Sequence, residues 1–288
     1  MLLRLASNSG DNYAPFQHTK GAKPHPRIIK PVKSRTIDNP RKDLKSVQSR
    51  ILDRLLQPVT LPHFLFGAVR ERSIRLHAEQ HLGAKLIVKM DIKSYYPSIT
   101  NDHIFHLWRN VLLCSPRIAR LLTQLTTYNR HLPQGAPTSP ALANILLASV
   151  YGPVLAACAD KNITATAWVD DIIFSGDRAR QMIEPVRKIL SDNGFAPARK
   201  KIEILSARSE KIVTGVRIGK DRPRAAKQKL RDIRAGLHNL ELGRLTDGGR
   251  AADVRNLRGQ ITFVRSLCPS DAVPLALALD NWERSSDS

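Results

Sequence analysis

Acidic residues, cysteine pairs and long apolar runs are all scarce in this sequence of 288 residues. Asp and Glu together number 25 against 46 Lys and Arg, which leaves a net charge of +21. This imbalance favours a polyanionic partner such as nucleic acid. Charge alone does not separate an enzyme from a ribosomal-type or chromatin-type binder that carries out no chemistry.

The cysteines are few and dispersed: Cys114, Cys158 and Cys268. Without a Cys-x-x-Cys pair or a Cys/His cluster, a structural zinc site has no support, and an odd number of separated cysteines suits a reducing cytoplasm. The start from Met1 to Ala6 is too short for a signal peptide. No apolar run approaches the roughly 20 residues that a membrane helix needs. We therefore expect a soluble, cytoplasmic protein without a membrane partner.

The N-terminal part of the chain is basic and rich in turn-forming residues. Residues 7–26 lack hydrophobic periodicity, so we expect residues 1–26 to form a flexible basic arm. Alternating basic and apolar residues over 27–37 predict a short β-hairpin with a cationic face. Apolar residues then recur at helical spacing from Leu44 onward. We expect that helix to be capped by Asp38 or Asn39, with Pro40 in its first turn.

The rest of the chain mixes helical and strand patterns, which is typical of an α+β protein. The strand candidates are 85–91, 164–174 and the short strand or hairpin 212–218. The predicted helices cover 70–82, 101–129, 137–160 and 181–193. A helical lobe follows over 224–245, and after a break at 247–249 a last helical segment ends the chain.

Three carboxylates occur where apolar strands end or are interrupted. Asp91 closes one strand, and Asp170 and Asp171 interrupt the apolar run of the other. Neighbours in a strand point to opposite faces, so such a pair persists only in a tight turn that binds a cation. Three carboxylates of this kind can hold two Mg²⁺ ions about 3.5–4 Å apart. For the Asp-Asp pair alone, a plain surface turn is the alternative.

Five sequence blocks in a fixed order resemble those of reverse transcriptases. They are Arg35-x-Ile37-x-x-Pro40, Met90 to Ile99, Leu132 to Pro140, Trp168 to Asp171, and a downstream set of Gly194-Phe195, Lys201 and Val213-Thr214-Gly215. The resemblance covers about residues 27–218. It implies an α+β right-hand polymerase with basic fingers, a palm with an antiparallel sheet and a short helical thumb. Fingers and palm would occupy 27–220, and an RNA-binding thumb 221–288.

Within that family the chain looks most like the bacterial retron group. The small size and Val213-Thr214-Gly215 carry this likeness, and His77-Ala78-Glu79-Gln80-His81 resembles the group's Asn-Ala-x-x-His element with His in its first position. The resemblance implies that the enzyme copies part of a cognate structured noncoding RNA into single-stranded DNA and leaves a branched RNA–DNA product. It also implies a role in anti-phage defence beside an effector or toxin protein.

The resemblance further implies roles for individual residues. Asp91, Asp170 and Asp171 would be the catalytic residues and hold two Mg²⁺ ions, for which Mn²⁺ could substitute. The groups expected around the dNTP substrate are Lys33, Arg35, Tyr96 as a steric gate against the ribose 2′-hydroxyl, Gln134, Gly135 and Lys201. The residues expected to bind RNA are His77, His81, Val213, Thr214, Gly215, Lys227, Arg231 and Arg234.

Other functions stay open at this point. One is a non-retron bacterial defence or group II intron-like reverse transcriptase, although maturase and endonuclease regions are missing. Another is a catalytically silent RNA-binding scaffold, against which the intact set of three aspartates argues. A nucleotide cyclase palm is the third, and it would explain neither the block from Pro133 to Pro140 nor the basicity.

Overall fold

The computed structural model describes residues 2–7, 10–19, 34–198, 201–246 and 248–286. Within these ranges the strands are β1 (Tyr13–Thr19), β2 (Ser34–Pro40), β3 (Ile87–Asp91), β4 (Thr164–Trp168), β5 (Asp171–Ser175), β6 (Glu203–Leu205), β7 (Ile212–Val213), β8 (Val216–Ile218) and β9 (Pro223–Ala225). The α-helices are α1 (Leu2–Ser7), α2 (Lys42–Ile51), α3 (Ile74–Glu79), α4 (Tyr95–Ser98), α5 (Asn101–His106), α6 (Pro116–Thr126), α7 (Ser139–Ala159), α8 (Ile183–Asp192), α9 (Lys227–Glu241), α10 (Gly249–Leu267) and α11 (Pro269–Ser286). Shorter 3₁₀ and π-helical turns are Gly10–Asn12, Leu52–Leu56, Leu107–Val111 and Ala179–Met182.

A four-stranded antiparallel sheet with the order β4-β5-β3-β6 forms the centre of the molecule. Its middle strands are rich in β-branched and aromatic residues, which suit a pleated, buried surface. The predicted strand 164–174 is in fact two strands, β4 and β5, joined by a turn at Val169 and Asp170. The chain reverses there because Trp168 pairs directly with Asp171 across the hairpin.

Helix α7 packs against this sheet and is the longest helix of the described chain, with 21 residues. By length and composition it could cross a membrane, which corrects the expectation that no apolar run is long enough. Its interior position gives another reason for the apolarity. Tyr95 donates a hydrogen bond of 2.7 Å to the Ala143 carbonyl, and Asn144 donates one of 2.8 Å to the Gly67 carbonyl. Helix α7 is thus a core helix of this fold.

Two hydrophobic cores share the central sheet. The larger one joins the sheet to α2 and α4–α8, with Leu65, Trp108 and Phe174 fully buried. The second joins the small sheet β7-β8-β9 to α9, α10 and α11, and it includes Ile87 and Ile173 from the central sheet. The C-terminal unit therefore begins packing at β7, upstream of the predicted boundary at 221.

The N-terminal arm predicted over residues 1–26 is partly ordered. Strand β1 pairs antiparallel with β2 from Tyr13↔Pro40 to Thr19↔Ser34, so the prediction of a flexible arm is wrong for these residues. The Tyr13 ring is buried and stacks on Tyr128 with the ring centroids 4.3 Å apart, which anchors the strand. In the hairpin predicted over 27–37, residues 27–33 lie outside the described residues, and residues 34–37 pair with β1.

Several predicted helix boundaries need correction. Helix α2 follows Arg41, while Asp38, Asn39 and Pro40 are all strand residues, so none of them has the predicted place in the helix. Helix α3 is shorter than the predicted 70–82, because Ser73 caps it by accepting a hydrogen bond from the Leu76 amide. The predicted helix 101–129 is divided into α5, a π-helical turn and α6.

Candidate active site

The three aspartates meet where β3, β5 and the β4–β5 turn come together. Asp91 and Asp171 are direct partners in the antiparallel register of β3 and β5. Residues paired in this way project to the same face of a sheet, so the two carboxylates share one side. Asp170 lies in the turn, and its carbonyl accepts a hydrogen bond of 3.1 Å from the Ile92 amide. The carboxylates are therefore concentrated at one edge of the sheet, in the kind of turn that the sequence predicts.

The turn is tight and is backed by Gly67. Val169 has a φ of +58°, a value that β-branched residues rarely adopt. A Cβ atom at Gly67 would lie 2.6 Å from the Val169 amide nitrogen, so only glycine fits behind the turn. Asn144 on α7 fixes the Gly67 carbonyl with its side-chain amide. No local sequence pattern predicts this support, because Gly67 lies about 100 positions before the turn.

The electrostatics of the site are those of a cation-binding centre. Burial raises the pKa of the Asp170 carboxyl, and the nearby Asp91 raises it further. Burial likewise raises the pKa of Asp171, with additional repulsion from Asp170 and Asp91. The Oδ1 atom of Asp91 is buried without a hydrogen-bond partner. Carboxylates crowded in this way are stabilised by a bound positive charge.

The donor chemistry fits a hard divalent cation, although the described side chains are not closed around one. Among the residues that the structure describes, no group of three His, Cys, Asp or Glu side chains is arranged to hold a metal ion. The Nζ atom of Lys201 lies 2.7 Å from Asp91 Oδ2 and supplies a positive charge there. Oxygen ligands from three carboxylates, one with an unpaired buried oxygen, are nevertheless what Mg²⁺ or Mn²⁺ prefers.

A cavity of about 810 Å³ opens beside the carboxylates. It brings together groups from β2, α4, the loop before α7 and the β4–β5 turn. Of the residues expected around the substrate, the cavity is lined by Arg35, Tyr96, Gln134 and Lys201. Lys33 lies outside the described residues. Other lining residues include Thr36, Asp38, Ser94, Tyr95, Asn129, His131, Trp168 and Asp170.

Tyr96 lines this cavity, and Gly135, next to the lining residue Gln134, packs against β2. The Tyr96 ring is half-buried, and burial followed by the charge of Asp170 raises the pKa of its hydroxyl to about 12. Gly135 has a φ of +129°, and a Cβ atom there would lie 2.9 Å from the Ile37 side chain. The loop that carries Gln134 therefore crosses β2 at a distance that only glycine allows.

Lys201 lines the cavity and also contacts Asp91. Its side chain is more than half exposed, and its ammonium group is paired with Asp91. The pairing follows from the backbone, because the Ala198 amide donates a hydrogen bond of 2.8 Å to the Asp91 carbonyl and so brings this segment alongside β3. Lys201 is thus a partner of the Asp91 carboxylate.

The two histidines predicted to contact RNA are in the interior. His77 and His81 have exposures of 0% and 1%, so neither offers a surface to RNA, and the prediction of direct contact is wrong for this structure. Both Nε2 atoms face the Thr166 hydroxyl, at 2.8 and 2.7 Å. His77 also stacks on Trp168, with the ring centroids 5.6 Å apart. His77 and His81 therefore support the sheet behind the β4–β5 turn.

The Val213-Thr214-Gly215 triplet forms the turn of the β7–β8 hairpin. Val213 is fully buried, which corrects its prediction as an RNA contact, whereas Gly215 is exposed. The Thr214 hydroxyl lies 3.2 Å from His77 Nδ1, so the hairpin is tied to the same histidine. The side chains of Lys227, Arg231 and Arg234 are exposed on α9, and their spacing of four and three residues places them on one face.

Sequence reasoning missed several residues that the structure brings into the cavity. Asp38 is buried in its wall, although its position before α2 suggested a helix cap. Asn129 and His131 reach the cavity from the loop between α6 and α7. The only sequence signal for His131 is its place just before the Leu132 to Pro140 block.

Known proteins resemble this chain over the residues that form the site. The family model described as "Reverse transcriptase (RNA-dependent DNA polymerase)" matches residues 22–228. The retron Ec86 reverse transcriptase of Escherichia coli is 27% identical over 236 residues, which cover 81% of this chain and 72% of that protein. The retron Mx162 reverse transcriptase of Myxococcus xanthus is 28% identical over 271 residues, which cover 82% of this chain and 56% of that protein.

Two further matches have lower coverage or identity. The retron Ec48 reverse transcriptase of Escherichia coli is 30% identical over 215 residues, which cover 69% of this chain and 53% of that protein. A solved telomerase from Candida albicans, in complex with a fragment of telomeric RNA, aligns with a TM-score of 0.49 and 10% identity over 96% of this chain and 61% of that one.

The family match extends over most of the chain and includes all three aspartates and the residues that line the adjacent cavity. The α+β architecture with an antiparallel sheet confirms the predicted right-hand polymerase fold. The relatives that share it over most of this chain are retron enzymes. The chain therefore belongs to the reverse transcriptase family, as an RNA-directed DNA polymerase of retron type.

Proposed function

We propose that this enzyme copies part of a cognate structured noncoding RNA into single-stranded DNA from dNTPs, by two-metal nucleotidyl transfer. One observation carries the proposal: a single cavity brings Asp170, at the cluster of three aspartates, together with cationic, aromatic and amide groups suited to a nucleotide. Reverse transcriptases depend on divalent metal ions and on an RNA template. The identity and number of the ions, the dNTPs and the cognate RNA are the parts that we propose.

Asp91, Asp170 and Asp171 are the residues that would hold two Mg²⁺ ions, with Mn²⁺ as a substitute. Metal ions bound there would lower the pKa of the primer hydroxyl and neutralise charge on the triphosphate. Lys201 must then release Asp91 Oδ2, and its freed ammonium group lies at the cavity wall, where it can bind a phosphate.

The other cavity residues select and orient the nucleotide. Arg35 is exposed on β2 and carries a planar guanidinium group that binds phosphate oxygens in pairs, while Lys33 is a second cation two residues earlier. The Tyr96 ring excludes a ribose 2′-hydroxyl. Gln134 contacts the template or the incoming base, and Gly135 lets its loop approach closely.

We assign the thumb to the C-terminal unit, nominally 221–288, and the fingers and palm to 27–220, after the basic N-terminal residues 1–26. Lys227, Arg231 and Arg234 form an exposed cationic face on α9 that suits the phosphate backbone of duplex RNA. Thr214 and Gly215 extend that surface at the β7–β8 turn. The enzyme would act in the cytoplasm, in anti-phage defence with an effector or toxin protein, and its product would be a branched RNA–DNA molecule.

The nucleic acid that remains on the purified protein tests this proposal. Nonspecific binding weakens by roughly 0.9 log unit of affinity per log unit of salt for each duplex phosphate neutralised, whereas contacts that depend on shape persist better. We expect one small RNA to survive a high-salt wash, with part of it covalently linked to DNA. That fraction would be shortened by both RNase and DNase. Heterogeneous RNA that elutes entirely at moderate salt would contradict the retron function.

A charge-matched pair of variants assigns the RNA-binding surface. Lys227→Ala/Arg231→Ala/Arg234→Ala should release the small RNA at lower salt. The control Arg109→Ala/Arg117→Ala/Arg120→Ala removes the same charge from exposed positions on the opposite unit and should keep it bound. Equal loss from both variants would mean that the binding follows net charge alone.

A further inference from the structure

Asp38 and His131 face each other at the wall of the nucleotide cavity, on two different segments of the chain. Asp38 is on β2, three residues after Arg35, and its carboxylate is only 5% exposed. Its Oδ2 atom lies 3.2 Å from His131 Nε2 and accepts a hydrogen bond of 3.3 Å from the Gln134 amide. The Asp38 amide in turn donates a hydrogen bond of 2.8 Å to the Gln134 carbonyl. A buried carboxylate thus joins the fingers strand to the loop that carries Gln134.

Both nitrogens of the His131 ring lie at hydrogen-bond distance from oxygen acceptors. The Nδ1 atom lies 3.1 Å from the Asn129 carbonyl oxygen, and the Nε2 atom lies 3.2 Å from the Asp38 carboxylate. The contact with Asp38 therefore ties the ring to β2, while the contact with Asn129 ties it to its own turn.

The pair is held in place by the turn on which His131 lies. Asn129 and Arg130 have φ values of +46° and +65°, as in the two-residue turns of tight hairpins. Tyr128 and His131 exchange backbone hydrogen bonds of 2.9 Å across this turn. The position of the imidazole is consequently fixed by the backbone and not only by its bond to Asp38.

We propose that Asp38 and His131 are positioning residues for the incoming nucleotide. The hydrogen-bonded pair locks β2 against the Gln134 loop and so sets the distance between Arg35 on one side of the cavity and Gln134 on the other. The Gln134 loop and β2 are in close contact at Gly135, where a Cβ atom would lie 3.2 Å from the Asp38 carbonyl oxygen. Loss of the pair would let β2 move outward and take Arg35 away from the triphosphate.

The neighbours of the pair are compatible with this function. Burial raises the pKa of the Tyr13 hydroxyl on β1, the nearby Asp38 charge adds to that rise, and the Tyr13 ring stacks on Tyr128. The cationic groups of Arg35 and Lys201 line the same cavity.

Steady-state kinetics of dNTP incorporation on a primed RNA template test this inference, which rests on the proposed use of dNTPs. His131→Phe keeps the ring but removes both hydrogen bonds, so the KM for dNTP should rise about tenfold while kcat changes less than about twofold. Asp38→Ala should have the same effect. The double variant should be no worse than either single one, because both remove one shared interaction.

A conservative variant separates the hydrogen bond from simple packing. In Asp38→Asn the amide can donate to a neutral His131 ring while its oxygen accepts from Gln134, so KM should stay within about threefold of the natural value. His106→Phe, at an exposed histidine outside the cavity, is the matched control and should leave KM unchanged. Should His131→Phe lower the unfolding temperature enough to prevent assay, His131→Asn is measured in its place, with the same expected rise in KM.

The outcomes distinguish this inference from the function on which it rests. No dNTP incorporation by the natural sequence would overturn the proposed function and the positioning role together. Incorporation by the natural sequence with an unchanged KM in His131→Phe and Asp38→Ala would overturn the positioning role alone. Additive effects in the double variant, or a fall in kcat at constant KM, would do the same.

Discussion

Two groups of buried polar side chains lie on either side of Trp168, and they differ in how their polar atoms are satisfied. On one side the carboxylates of Asp91 and Asp170 repel each other, and one oxygen of Asp91 has no partner. On the other side His77 and His81 join Thr166 in a chain of hydrogen bonds that has no such gap. At these two places the hydrogen bonding separates two kinds of buried polar group. Incomplete hydrogen bonding marks the candidate cation site, and complete hydrogen bonding marks a structural network.

The histidine network is complete with neutral rings. It runs from Thr214 through His77, Thr166 and His81 to Ser175, over distances of 3.2, 2.8, 2.7 and 2.7 Å. A neutral imidazole has one donor and one acceptor, and each nitrogen here faces a hydroxyl that can take either role. The network joins α3, the central sheet and the β7–β8 turn, so it stabilises the junction of the two hydrophobic cores. We therefore expect changes in it to affect stability more than chemistry.

The largest expected effect on stability comes from removing one ring of the network. His81→Phe keeps the size of the side chain but leaves the buried Ser175 hydroxyl without its partner, at a cost of about 2–3 kcal/mol in the free energy of unfolding. Adding Ser175→Ala should recover about 1 kcal/mol, because the orphaned group is then removed. Urea unfolding of both variants measures this difference. A His63→Phe control, at an exposed ring, should stay within about 0.5 kcal/mol of the natural protein.

If His81→Phe lowers the free energy of unfolding by less than about 0.5 kcal/mol, the network does not contribute to stability as proposed. An unchanged loss after the addition of Ser175→Ala would contradict the coupling between His81 and Ser175.

A further effect on stability is expected from acidification. Burial lowers the pKa of His77 to about 4, and burial with the charge of His77 lowers that of His81 to about 3. An unfolded chain binds protons at these rings near pH 6.5, so it holds more protons than the folded protein below that pH. The stabilisation is complete above about pH 6.5 and is lost as the pH falls toward 4 and 3, by as much as about 1.4 kcal/mol per pH unit for each ring.

Unfolding curves between pH 7.5 and pH 5 measure that slope. In His81→Phe the slope should be reduced, since one of the two titrating rings is gone. A slope that is identical in the natural protein and in this variant would show that other groups cause the acid sensitivity.

The sequence predicts the aspartate cluster better than it predicts the histidine network. Asp91, Asp170 and Asp171 stand out because carboxylates within apolar strands have no structural purpose of their own, and this can be recognised locally. His77 and His81 are four residues apart and share a helix face, but nothing local says whether that face points inward. Their partners Thr166 and Ser175 lie more than 80 positions away.

The same limit explains the errors near the N-terminus. Strand β1 contains His18 and Thr19 among exposed residues and has little hydrophobic alternation, so only its pairing with β2 makes it a strand. Asp38 precedes a helix and has the composition of a cap, yet strand geometry directs its carboxylate to His131. In both cases tertiary pairing overrides a local pattern.

The central claim is that the aspartates form an unsatisfied cation site whose crowding serves catalysis at a cost in stability. Asp170→Asn/Asp171→Asn tests it most directly, with metal-dependent incorporation and the unfolding temperature measured on one preparation. We predict that incorporation falls by about 10³-fold or more, because the metal ligands are lost, and that the unfolding temperature in metal-free buffer stays equal or rises, because carboxylate repulsion is relieved. Retained metal-dependent activity, or a clear fall in the unfolding temperature, would contradict the account.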